Sequence, residues 1–247
     1  MGINSINAHF GSWLYGVNAP QIEGYVDILL ARVISLFDDV DGEQERAAEE
    51  VLNWPGWGPD DYERAMETAY EISIDKALQF MELRSVFLAT GVSGLFHLFE
   101  KQVYKHLNHE LSDWMKKDAS GRIIQPIQFW KDARIIIERL KYKSATDDTE
   151  TTELRDAFSA PVITELRLVA NSVKHGEGDS YDKLKKMNAC VVSEERLENE
   201  WSIGPYSILG VNIAITPDDV ERYKNALLAY WQLDGLYCGR PEDFVGQ

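Results

Sequence analysis

The sequence contains only two cysteines, Cys190 and Cys238. That is too few for a disulfide scaffold or a cysteine-based zinc site. Long hydrophobic runs are also missing. The longest, Val86 to Phe99, carries two glycines and His97, and it falls short of the roughly 20 apolar residues that span a bilayer. Cations are scarce: 25 lysines and arginines face 41 aspartates and glutamates, for a formal net charge of −16. An acidic field of that size opposes broad electrostatic binding of duplex DNA. No Gly-rich phosphate loop, nucleophile elbow or kinase motif is present. The start of the chain lacks the cationic and apolar regions of a signal peptide. Met1-Gly2 precedes Ile6 where an acylation signal needs Ser or Thr. These absences lead us to expect a cytoplasmic protein that uses no membrane, no cofactor and no metal.

What is present is helical. The chain has 247 residues, 45% of them hydrophobic, enough for one large domain with a real core. Apolar residues at helical spacing predict a helix over Gln21 to Val51, after Pro20 and before Asn53-Trp54-Pro55-Gly56. Asp60 and Asp61 start a long helix from about Tyr62 to about Lys117, with possible breaks at Gly91 or Gly94. Asp118 to Gly121 reads as a turn, and Phe129 to Lys143 as a basic amphipathic helix. Ser144 to Glu153 reads as a loop or linker. A further helix, beginning near Glu153 or Pro161, runs to Lys174 and stops at Gly176. Ser202 to Ile215 looks extended, in the manner of a short hairpin. Thr216-Pro217-Asp218-Asp219 has the pattern of a capped helix start. Val220, Tyr223, Leu227, Tyr230 and Trp231 then line one side of the last helix. The expected fold class is all-α: a bundle of long core helices with a short extended insertion near the C-terminus. The expected organisation is a single domain over 1–247, with an N-terminal helix and turn (1–60), a bundle core (61–200), the insertion (201–215) and a C-terminal helix (216–240).

The most informative stretch runs from Glu165 to Gly176. On a helix turning about 100° per residue, with Arg167 at zero, Asn171 lies at about 40°, Lys174 at about −20° and His175 at about 80°. Val162, Leu166, Val169, Ala170 and Val173 gather on the opposite side, as a core face. One helix face thus presents Arg, Asn, Lys and His near its C-terminal end. That set suits phosphodiester chemistry in RNA. Arg167 or Lys174 can contact phosphate and offset its charge in the transition state. His175 can move the proton of the 2′-hydroxyl or of the leaving oxygen. Asn171 can orient the site, and no metal is needed. The plainer reading is an ordinary helix end, because Lys and His complement the helix dipole and Gly is the usual stop.

This segment resembles the signature helix of the HEPN superfamily. Members are all-α bundles, and many are metal-independent endoribonucleases of toxin–antitoxin and phage-defence systems. Their motif places a His four to six residues beyond an Arg near the end of a late helix. The step Phe99-Glu100-Lys101 and the stretch from Leu209 into Thr216-Pro217-Asp218-Asp219 and an aromatic-ended helix are similar to what such bundles carry. The resemblance implies an endoribonuclease or RNA-binding effector with catalytic His175, Arg167, Asn171 and Lys174. It also implies a homodimer and a partner such as an antitoxin. The sequence departs from the pattern at Ala170, where the family usually has its Arg, and seven residues lie between Arg167 and His175, longer than the usual four to six. Two outcomes stay open: a site completed by a second subunit, or an inactive dimerisation and interaction module.

Charge by segment refines the opening figure. Residues 38–50 hold seven acids against Arg46, whereas Lys131, Arg134, Arg139, Lys141 and Lys143 outnumber Asp132 and Glu138 in 129–143. Arg134, Arg139, Lys183, Lys185 and Lys186 are therefore the candidate RNA-binding cations. A third class, a metal-dependent bundle enzyme, requires His106 and His109 to converge with a carboxylate. The seven tryptophans are scattered and read as packing anchors.

Overall fold

The computed structural model describes residues 6–112, 127–143, 150–151, 153–199 and 209–239. In chain order the elements are β1 (Ile6–Phe10), α1 (Ser12–Ile28), α2 (Val40–Leu52), α3 (Tyr62–Glu110), α4 (Trp130–Arg139), β2 (Lys141–Lys143) and β3 (Glu150–Thr151). Then come α5 (Glu153–Phe158), α6 (Pro161–His175), α7 (Asp179–Lys186), α8 (Glu194–Asn199), α9 (Pro217–Trp231) and β4 (Gly235–Gly239). The protein is predominantly helical, as expected. No helix among the described residues is long and apolar enough to cross a membrane.

Several boundaries differ from the sequence reading, each for a local reason. The helix expected over Gln21 to Val51 is two helices. α1 begins earlier, at Ser12, and holds Pro20 inside it. A π turn at Leu29–Val33 and a 3-10 turn at Ile34–Phe37 follow. Asp39 then leaves helical geometry, and its carboxylate accepts from the Gly42 amide at 3.1 Å, which starts α2 afresh. In contrast, α3 runs unbroken through Gly91 and Gly94. These glycines serve close packing. A Cβ on Gly91 would collide with Leu29, and one on Gly94 with the Tyr25 hydroxyl. α4 stops at Arg139 because Leu140 is extended (φ −78°, ψ 133°), so Lys141 to Lys143 form a strand rather than more helix. The C-terminal helix ends at Trp231, and β4 follows it. Leu209 to Ile215 is non-helical, as expected. The rest of the insertion, the 118–121 turn, residues 144–149, Trp114 and Trp201 lie outside the described residues.

The chain forms two compact units. The first draws on Met1–Val26, Gly94–Arg167 and Val220–Gln247, the second on Asp27–Ser93 and Leu168–Asp219. Unit one contains a sheet that the sequence did not announce, ordered β1-β4-β2-β3 and antiparallel throughout. Its strands are two to five residues long, too short for an alternation to register. Ala8 pairs with Tyr237 across β1 and β4, and both are fully buried. Beneath them Phe99, Tyr230 and Trp231 meet edge to face, with Phe99 5.1 Å from Tyr230 and 6.0 Å from Trp231. Every residue expected on the inner side of the last helix is buried. In unit two, Phe37 packs on Phe80 and Phe87, with centroids at 5.0 and 5.4 Å. Arg196 ties α8 to the start of α9 through Asp219.

Candidate functional site

α6 forms where the sequence places it. Leu166, Val169, Ala170 and Val173 are buried, and so are Leu168 and Ser172. The helix ends at His175 because Gly176 takes φ 74°, a left-handed conformation that only glycine adopts freely. The Gly176 amide donates to the Ser172 carbonyl at 2.8 Å. The Glu177 amide donates to the Gly210 carbonyl at 3.3 Å, which ties the loop after α6 to the extended segment within unit two.

Three of the four candidate catalytic residues share the last turns of α6. Asn171 is half-buried, while Lys174 and His175 are exposed. None of the three makes a side-chain hydrogen bond or ion pair among the described residues. α7 follows directly. Its inner face buries Tyr181 and Leu184, and its outer face exposes Lys183, Lys185 and Lys186. Lys185 lies over the Tyr181 ring, 4.3 Å from its centroid. The Tyr181 hydroxyl donates to the Asn212 carbonyl at 3.0 Å, so the ring beneath the lysine is fixed.

Arg167 is not brought to His175. It stands eight residues earlier, a rise of about 12 Å along the helix, and it belongs to unit one. There it feels the charge of Arg134 of α4. Burial, and then the Arg134 guanidinium, push the Arg167 guanidinium below its usual value. Arg167 is half-buried and has no ion pair among the described residues, whereas Arg134 reaches Glu138 at 3.4 Å on its own helix. A half-buried guanidinium without an anion favours a bound phosphate or carboxylate. Sequence spacing could not reveal this pairing, because 33 positions separate the two residues. Arg139 is exposed at the end of α4.

Two residues beside Arg167, Glu165 is spoken for. Its carboxylate accepts from Arg222 at 2.6 and 3.2 Å and from the Tyr223 hydroxyl at 2.7 Å. This partly buried cluster braces α6 against α9 within unit one, and the sequence reading missed it.

The metal reading fails on geometry. His106 is buried and His109 is exposed, so the two do not converge on one ion. No group of three His, Cys, Asp or Glu among the described residues could hold a metal. His106 instead sits among rings, 4.6 Å from Phe10, 6.1 Å from Trp231 and 6.2 Å from Trp13, and neither ring nitrogen has a hydrogen-bond partner there. No known family model matches this sequence, and no curated protein or solved structure is measurably similar to it.

Proposed function

We propose that the protein binds single-stranded RNA and cleaves it without a metal, as a HEPN-like effector of the toxin–antitoxin or phage-defence type. The observation that carries this reading is the unengaged polar end of α6. The side chains of Asn171, Lys174 and His175 make no hydrogen bond or ion pair among the described residues. A polar cluster whose hydrogen-bonding groups are unpaired within the fold is a candidate for chemistry. His175 would act as general acid or base on the 2′-hydroxyl or leaving oxygen. Lys174 would contact the scissile phosphate, and Asn171 would orient the imidazole or the backbone. In unit two Lys183, Lys185 and Lys186 would bind flanking phosphates, and in unit one Arg134 and Arg139 would contact RNA phosphates of their own. Arg167 would hold a phosphate with Arg134, since within one chain it is too far along α6 to share an oxygen with His175. A homodimer, in which a second copy supplies a closer arginine, fits the same reading.

The test is incubation of the protein with a labelled single-stranded RNA in EDTA, followed by a denaturing gel. We expect the wild type to cut and His175→Ala to lose about two to four orders of magnitude in rate. RNA affinity, read by anisotropy, should be kept by His175→Ala. Arg134→Gln combined with Arg167→Gln should weaken binding about tenfold and flatten its salt dependence by up to about two phosphate contacts. Cleavage that survives in His175→Ala would remove the catalytic assignment. Binding without cleavage in the wild type would favour the rival reading, an inactive interaction module.

A further inference from the structure

Exposed apolar side chains recur along one stretch of α3 in unit two. On α3, Tyr62, Met66 and Tyr70 recur every fourth residue and remain 70%, 44% and 65% exposed. The positions just before the last two, Ala65 and Ala69, are buried, so the helix already has its core face. The exposed row is a second apolar face, larger than a surface helix needs. Beside it, one position on, runs an exposed carboxylate row of Glu63, Glu67 and Glu71. The loop leading into α3 also exposes Trp54, 45%, whose indole lies parallel to that of Trp57 within 4° at a centroid distance of 6.5 Å. Trp57 is anchored by its Nε1, which donates to the Val51 carbonyl at 2.8 Å. The expectation that the tryptophans are packing anchors therefore does not hold for Trp54.

We propose that this face docks a basic segment of a partner protein, one that presents lysines or arginines beside apolar side chains. Three features select that occupant. Aromatic faces attract Lys and Arg cations, and Trp does so best. The glutamate row offers the same cations their ion pairs, and the acids of residues 38–50 steer a basic partner inward. Tyr, Trp and Met are the residue types enriched where protein interfaces bury their centres. A second copy meeting the same face would set glutamate row against glutamate row, and the acids equally oppose RNA. The stretch from Tyr62 to Tyr70 spans about 12 Å of helix, enough for two turns of a partner helix. No residue here is shared with the RNA site, so either assignment can fail alone.

The test uses the full chain and a fluorescein-labelled amphipathic peptide of about 14 leucines and lysines, read by anisotropy, beside the same peptide with glutamate for lysine. The lysine peptide should bind and the glutamate peptide should not. Y62S with Y70S should weaken binding about tenfold, and E63K with E67K and E71K should weaken it at least as much. A control with the same charge change elsewhere, E177K with E194K and E198K, should leave affinity within about threefold. All these positions are exposed, and circular dichroism melts check that each variant folds. Equal losses in the control, or no loss in the tyrosine variant, would reduce the effect to bulk charge and overturn the proposal. So would concentration-dependent self-association that the tyrosine variant abolishes, since a second copy would then cover the face.

Discussion

Asp219→Ala will lower the unfolding free energy by about 3 kcal/mol at neutral pH, measured by urea denaturation. The side chain is 4% exposed and does two jobs. It completes the capping box of α9. Its carboxylate accepts from the Thr216 amide at 3.0 Å and the Thr216 hydroxyl at 2.9 Å, while the Asp219 amide donates back to Thr216 Oγ1 at 3.3 Å. It also receives Arg196 Nη1 at 2.5 Å. The cap alone is worth about 1 kcal/mol. The larger share comes from leaving Arg196 without its anion in a site where its side chain is only 22% exposed. Asp219→Asn keeps a capping oxygen and loses the charge, so it should cost about half as much. A loss below about 0.5 kcal/mol in Asp219→Ala would mean that Arg196 finds another acceptor at no cost.

Between pH 6.5 and pH 4 the protein will lose about 3 kcal/mol of stability through His106 alone. The imidazole is 5% exposed, and burial pushes its proton affinity down to about 4, from an ordinary value of about 6.5. Glu110 on α3 favours the protonated form, whereas His109 opposes it. On β1, the His9 charge opposes protonation and its backbone favours it, and these smaller effects leave burial dominant. The folded state therefore holds the ring neutral while the unfolded chain takes up a proton. The unfolded chain binds more protons throughout that window, so stability rises with pH across it. The contribution is complete above about pH 6.5 and lost by about pH 4. Denaturation midpoints of the wild type and His106→Phe at pH 7, 5.5 and 4 separate this effect from general acid unfolding. The wild-type curve should fall more steeply by up to about 1.4 kcal/mol per pH unit. Parallel curves would show that the ring is solvated in solution. Phe10 lies edge-on to His106 at 4.6 Å, and the His9 amide donates to Glu110 at 2.9 Å. Proteolysis of β1 should therefore accelerate first as the pH falls.

Much of the helical content was legible because helix signals are local. Thr216, Pro217 and Asp219 lie within one turn, and the capping geometry follows from their spacing. The inner face of α9 and the stop at Gly176 are equally local. The sheet was not legible. Its strands are short, and β4, late in the chain, pairs with β1 from the start of the chain and with β2 from its middle. The row of Tyr62, Met66 and Tyr70 was present in the sequence at four-residue spacing. It read as part of a core helix, because periodicity identifies apolar rows without saying which one faces inward.

The candidate site divides in the same way. By itself the sequence determined that Asn171, Lys174 and His175 share a helix end, since about 100° per residue leaves no other arrangement. It also determined that acids crowd residues 38–50 while bases outnumber acids in 129–143. Only the tertiary structure decided that Arg167 feels the charge of Arg134, that Glu165 is consumed by Arg222 and Tyr223, and that His106 lies among rings. The physical reason is range. Backbone geometry fixes neighbours within a turn or two, whereas a charged or polar side chain takes its partner from whatever element packing delivers. Those elements here lie from 33 to 125 positions away, as from Arg134 to Arg167 and from His106 to Trp231.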